Sequence, residues 1–141
     1  MQLLLLADPS EALVRRYAAE GIVFGAAVKN EAVGVYVLFD HGRGTWELKN
    51  IAVAATHHRL GIGYQLLTHA LRQAQQLGAD TLEVGTGDTG AGQIAFYEKA
   101  GFRRHRVDKG FFLRNYPEPV MENGLQHKDM IFLSKNLKVT E

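Results

Sequence analysis

The chain is predicted to form one α/β domain, a mixed sheet with helices on its faces. Three observations carry this. The 141 residues are 46% hydrophobic and 22% charged, which suits a single soluble domain over 1–141 with a proper apolar core. Three β-rich runs follow one another through tight turns, as in an antiparallel meander. Past residue 60, helical and extended segments alternate, as in β-α-β connections.

The elements follow in order. Gln2–Leu6 reads as a buried strand. Asp8-Pro9-Ser10-Glu11 opens a helix, with Asp8 as N-cap, Pro9 at the first helical position and Glu11 closing a capping box. Leu13, Val14, Tyr17 and Ala18 give it an apolar face, and Gly21 ends it. Ile22–Lys29 and Ala32–Phe39 are strands joined by a turn at Lys29-Asn30-Glu31. Asp40-His41-Gly42-Arg43-Gly44 is a second turn, and Thr45–Val53 the third strand. Ile62–Leu77 is the strongest helix: Ile62, Leu66, Leu67, Ala70, Leu71, Ala74 and Leu77 recur at helical spacing, and Gly78 stops it. Asp80–Val84 is a strand, Ala91–Ala100 a short helix ending at Gly101, and Phe102–Val107 and Lys128–Leu133 two last strands. The segment Asp108–Gln126 is long for a connection, and such segments are usually functional or mobile.

Composition removes several classes. A net charge of +1 without a Lys/Arg cluster argues against a nucleic-acid partner. With no cysteine there is no disulfide, thiolate metal site or cysteine nucleophile, and a cytoplasmic setting is the default. Leu3–Leu6 is too short to span a membrane and lacks the flanks of a signal peptide. The six histidines lack zinc-type spacing, so no metal is expected. Ser10 and Ser134 sit in no nucleophile elbow.

Two glycine-rich turns stand between a strand and a helix. Gly85-Thr86-Gly87-Asp88-Thr89-Gly90 matches G-x-G-x-x-G, with Asp108 about twenty residues on, as in a dinucleotide-binding fingerprint. A meander precedes it, however, and the chain is short for a second nucleotide-binding half; a plain connector is the simpler reading. The other turn, His58-Arg59-Leu60-Gly61-Ile62-Gly63, opens the strongest helix. Free backbone N–H groups and the positive end of a helix dipole suit a phosphate there. The simpler reading is a helix start that needs room to pack.

Taken together, the motifs resemble those of the GNAT superfamily of acetyl-coenzyme A-dependent N-acetyltransferases. Its pyrophosphate motif, Gln/Arg-x-x-Gly-x-Gly/Ala, is similar to His58-Arg59-Leu60-Gly61-Ile62-Gly63, with His58 in the Gln/Arg position and Arg59 beside it. Its later signature is similar to Phe96-Tyr97-Glu98-Lys99-Ala100-Gly101-Phe102. The stretch Tyr116–Gly124 resembles a subgroup of small bacterial members. The resemblance implies a GNAT-type fold with a mostly antiparallel mixed sheet of six to seven strands, helices on both faces, and acetyl-coenzyme A as cosubstrate. It implies direct transfer of acetyl to a small-molecule or peptide amine; family members often form homodimers, and the residues leave the oligomeric state open. The alternative is a non-catalytic coenzyme A-binding or regulatory module.

The resemblance also implies residue roles. Ile51, Ala52 and Val53 line the pantetheine arm; His58, Arg59, Leu60, Gly61, Ile62, Gly63 and Tyr64 meet the pyrophosphate. Asp88 or Gln93 stands in for a cofactor-contacting asparagine that many members carry. Glu47 is the candidate base, since an amine near pKa ~10.4 is mostly protonated at neutral pH; it reads also as a salt-bridged strand residue. Strand alternation places Glu47, Lys49, Ile51 and Val53 on one face. Tyr97 matches the tyrosine that meets the departing thiolate, and reads also as a buried aromatic. In Asp108–Gln126, Phe111, Phe112, Tyr116, Glu118, Glu122 and Asn123 suggest a wall for a cationic acceptor, or core packing beside solvated carboxylates.

Overall fold

The computed structural model describes residues 19–28, 31–54, 61–122 and 124–138. The expected strand Gln2–Leu6 and the helix from Asp8 lie outside the described residues, as do Lys29 and Asn30. The chain divides into two compact units, 1–82 with 137–141, and 83–136. Backbone hydrogen bonds order six strands as Ile22–Val28, Glu31–Gly42, Thr45–Val53, Thr81–Gly87, Met130–Asn136 and Arg103–Asp108, and pair Met121–Glu122 with Leu125–Gln126 as a separate ribbon. Among the described residues no helix is long and apolar enough to cross a membrane.

The first unit holds β1 (Ile22–Val28), β2 (Glu31–Gly42), β3 (Thr45–Val53) and α1 (Ile62–Gln76), and it begins β4 (Thr81–Gly87). The meander is antiparallel as expected, with Phe24 opposite Tyr36 and Tyr36 opposite Ile51. β2 extends through Gly42, because the turn needs only Arg43 and Gly44. Both have positive φ, 55° and 81°, and such a two-residue loop matches the right-handed twist of a hairpin. Val33 to Leu38 are all buried, consistent with β2 as an inner strand.

Helix α1 lies against β2 and β3 and buries Leu66, Leu67, Ala70 and Ala74. The two alanines keep the helix close to the sheet, and the leucines supply most of the apolar area. Leu77, read from periodicity as part of that face, is the C-cap and is exposed, since the helix ends at Gln76. Tyr36 is buried, stacks on Phe24 with ring centres 4.8 Å apart, and its hydroxyl is 2.5 Å from His69 Nδ1. Burial pushes its phenol up to about 12.

The second unit holds the rest of β4, then α2 (Ala91–Lys99), β5 (Arg103–Asp108), α3 (Phe111–Asn115), β6 (Met121–Glu122), β7 (Leu125–Gln126) and β8 (Met130–Asn136). β5 and β8 are antiparallel, and Arg106 lies over the Phe132 ring at 3.7 Å. The long connection after β5 is therefore built of a short helix and a two-stranded ribbon.

Leu67 is fully buried on the face of α1 that meets the sheet. Leu67→Ala is expected to lower unfolding free energy by about 2–5 kcal/mol, from lost transfer energy and a residual cavity. Leu77→Ala is expected to stay within about 0.5 kcal/mol, as an exposed change. Urea denaturation of both variants checks the contrast.

Candidate active site

The hairpin of β2 and β3 builds the first group of candidate residues. Its register sets Phe39 opposite Glu47. On either side of that pair the ladder slips. The pairing passes from Leu38–Leu48 to Val37–Asn50, skipping Lys49, and from Asp40–Trp46 to Gly42–Thr45, skipping His41. Such bulges bend a strand and re-aim side chains. Both extra residues turn to Glu47: His41 Nε2 is 2.7 Å from Glu47 Oε1, and Lys49 Nζ is 3.3 Å from the same oxygen. Glu47 is 8% exposed, so its charge is compensated by partners and not by bulk water. The Phe39 ring lies 5.0 Å from the His41 ring and 5.5 Å from the Lys49 ammonium.

Farther along β3, Ile51, Ala52 and Val53 pair with Tyr36, Val35 and Gly34. Ala52 is buried, while Ile51 and Val53 are half-buried. The bulge at Lys49 breaks the strict alternation expected from Glu47 to Val53.

His58, Arg59 and Leu60 lie outside the described residues. Gly61 is the N-cap of α1, with φ 76°, and Ile62, Gly63 and Tyr64 form its first turn. No side chain caps this end, and no acidic residue stands in the first turn. The first intrahelical bond runs from the Gln65 N–H to the Gly61 carbonyl. Among the described residues, therefore, no side chain takes the N–H groups of Ile62, Gly63 and Tyr64, and no acid of the first turn faces the positive dipole end. This suits the pyrophosphate of a coenzyme A thioester.

The second unit carries Asp88, Gln93 and Tyr97. The glycine run Gly85–Gly90 is not a phosphate turn at its start, because β4 continues through Gly87. A Cβ at Gly87 would collide with the His127 ring, so the glycine makes room for it. Asp88 Oδ1 accepts the Lys128 backbone N–H at 2.9 Å, which commits that oxygen to the turn. Gln93 is exposed on the first turn of α2, a second helix start with no side-chain cap and no acid.

The signature around Tyr97 has a mechanical reason. Gly101 has φ 101°, a conformation that costs other residues roughly 1–2 kcal/mol. The Gly101 N–H bonds the Glu98 carbonyl and the Phe102 N–H bonds the Tyr97 carbonyl, which together make a Schellman ending. Phe102 is fully buried with its ring 5.7 Å from that of Tyr97. The helix end thus clamps Tyr97, which is 5% exposed, and burial raises its phenol well above the usual value near ~10.

One buried residue carried no signal in the sequence. His127 is 6% exposed and stacks on Phe112 at 5.0 Å, and Phe112 stacks on Tyr116 at 5.3 Å. Its Nε2 is 3.1 Å from Glu122 Oε1 and its Nδ1 is 2.7 Å from Thr89 Oγ1. A carboxylate only accepts, so Nε2 carries the hydrogen and the Thr89 hydroxyl donates to Nδ1 in the neutral ring. Phe112 and Glu122, read as parts of an acceptor wall, are thus engaged in holding His127. Glu118 is exposed, and Asn123 lies outside the described residues. His41 also escapes a reading by motif; its cue is the turn at Arg43-Gly44, which folds position 41 back toward 47.

The helix start at Gly61 in the first unit and the glycine-ended helix in the second stand where the sequence motifs of the GNAT acetyltransferases were read. A profile of the acetyltransferase (GNAT) family matches residues 5–102, and the chain belongs to that family. It is 44% identical over 135 residues to the uncharacterized N-acetyltransferase YvbK of Bacillus subtilis strain 168, covering 96% of this chain and 87% of the relative. A GNAT family acetyltransferase from Elizabethkingia anophelis, solved with acetyl-coenzyme A bound, superposes with a TM-score of 0.94 at 44% identity, covering 96% of this chain and 88% of that one. A Bacillus subtilis acetyltransferase in complex with coenzyme A superposes with a TM-score of 0.90 at 44% identity, covering 96% and 89%. Fold, enzyme class and cosubstrate thus agree with the reading from the motifs.

Gly101→Ala is expected to cost about 1–2 kcal/mol, since a residue with a Cβ is strained in a left-handed conformation. The Lys135 side chain that a Cβ would meet is flexible at its end and can move aside. Chemical denaturation checks this, with Gly92→Ala on the open face of α2 as the stabilising control.

Proposed function

We propose that Glu47 takes the proton of the acceptor amine and that Tyr97 hydrogen-bonds the departing thiolate, in an acetyl transfer that proceeds by direct attack. In this reading the amine nitrogen forms a bond to the acetyl carbon, the carbon–sulfur bond breaks, and the proton passes to the Glu47 carboxylate. The observation that carries the cosubstrate part is the start of α1, whose first N–H groups have no side-chain cap and no first-turn acid among the described residues. The backbone supplies these donors, so His58 in place of Gln or Arg does not remove them.

For Glu47 the support is its burial beside cations on a bulged strand. For Tyr97 it is burial at the clamped end of α2. A thiol titrates near ~8.5, below a phenol raised above ~10, so the proton stays on Tyr97. Its role is then donation of a hydrogen bond to developing negative charge, which a low-dielectric site strengthens.

Of the two stand-ins for the asparagine, Gln93 is the better, because Asp88 already accepts from Lys128 and offers no donor. The acceptor is a primary amine, and exposed Glu118 beside half-buried Phe111 and Tyr116 favours a cationic one. A cytoplasmic setting agrees with a cysteine-free chain.

Purified protein is expected to gain thermal stability with acetyl-coenzyme A and to release free thiol with at least one member of an amine panel. That panel comprises polyamines, aminoglycosides, amino-acid amides and lysine peptides. Tyr97→Phe is expected to lower kcat by about 10²-fold with acetyl-coenzyme A affinity unchanged, as for one lost transition-state donor. Glu47→Gln is expected to lower kcat by about 10²–10⁴-fold, as for a lost general base. Stabilisation without turnover on any amine would instead make the chain a coenzyme A-binding module.

A further inference from the structure

We propose that His41 is a positioning residue for Glu47, orienting the carboxylate so that Oε2 receives the proton of the amine. This rests on the reading of Glu47 as the base.

Among the described residues, the two donors to Glu47 fall on one oxygen: His41 Nε2 lies 2.7 Å and Lys49 Nζ 3.3 Å from Oε1. No hydrogen bond from the described residues reaches Oε2. A carboxylate left alone turns about a broad, two-fold torsion and presents either oxygen. Here the doubly engaged oxygen shares its lone pairs with an N–H and an ammonium. The other keeps its lone pairs for an incoming proton. Since a carboxylate only accepts, the His41 hydrogen is on Nε2 and donates to Oε1.

The backbone supplies this geometry by two separate slips. His41 is the residue skipped in β2 and Lys49 the residue skipped in β3, on either side of the Phe39–Glu47 pair. The Phe39 ring is in contact with both, 5.0 Å from the imidazole ring and 5.5 Å from the ammonium. It thereby limits the freedom of each donor. The two are not equivalent. A flexible ammonium follows either oxygen, whereas a ring on a bulged strand points one way.

The test is a set of five proteins: wild type, His41→Ala, His41→Gln, Glu47→Gln and the His41→Ala/Glu47→Gln double variant. Thiol release is read with the fastest amine of the panel above. His41→Ala is expected to lower kcat about tenfold, with KM for acetyl-coenzyme A unchanged, because Lys49 still engages the carboxylate. His41→Gln, which keeps an N–H donor, is expected to recover most of that loss. The double variant is expected to match Glu47→Gln within about twofold, since His41 acts through Glu47. Wild-type kcat in His41→Ala beside a crippled Glu47→Gln would overturn the role of His41 alone. A double variant that falls a further tenfold below Glu47→Gln would overturn it as well. Full activity of Glu47→Gln, or no turnover on any amine, would overturn the base and this inference together. A readout free of any acceptor is the long-range ¹H–¹⁵N spectrum of His41. It is expected to show an Nε2-bound hydrogen that shifts in Glu47→Gln; an Nδ1-bound hydrogen would overturn the proposal.

Discussion

The antiparallel ladder between β2 and β3 is the interaction on which the first unit depends. It buries the inner strand, gives α1 a surface to pack on, and sets the register that puts Phe39 opposite Glu47. Strand period alone would carry every second residue to the same face. The two slips in this ladder break that rule at His41 and at Lys49, and so surround one buried carboxylate with two donors. A regular ladder would leave Glu47 with fewer partners and a larger desolvation cost. The irregularity thus accounts for a carboxylate that is buried beside two donors.

The second unit solves a different problem, that of holding a phenol still. A helix of nine residues has little intrinsic stability. Its glycine ending, the paired carbonyl bonds and the Phe102 ring stabilise the last turn, where Tyr97 sits. At the other end, His127 ties the turn before α2 to the β6–β7 ribbon through Thr89 and Glu122. The long connection after β5 is thereby anchored at both its helix and its ribbon, with Phe112 stacked on the same ring.

Much of this was legible in the residues. The meander followed from tight turns between β-rich runs, α1 from its period of apolar residues, and α2 from the glycine that ends it. Gly101 and Phe102 were recognisable because a helix end has few chemical solutions. The candidate base and tyrosine came from the resemblance to the family's motifs. Boundaries were less so. β2 ran on to Gly42, since a two-residue loop suffices where five were read as turn, and β4 ran on to Gly87, since its glycines make room for rings. Leu77 looked like core by period but falls past the last helical residue.

Family, class of fold and the glycine turn before α1 were readable from the residues alone, because those depend on local chemistry: glycine at a turn, apolar period, tight loops. Which side chains meet emerged only from the packed chain. Nothing near Glu47 in sequence announces that His41 and Lys49 share its Oε1, because that depends on register and on two bulges. Nothing near His127 announces Thr89, nearly forty residues away. Register and long-range burial are properties of the packed chain, and they turn a set of candidate residues into groups with a direction.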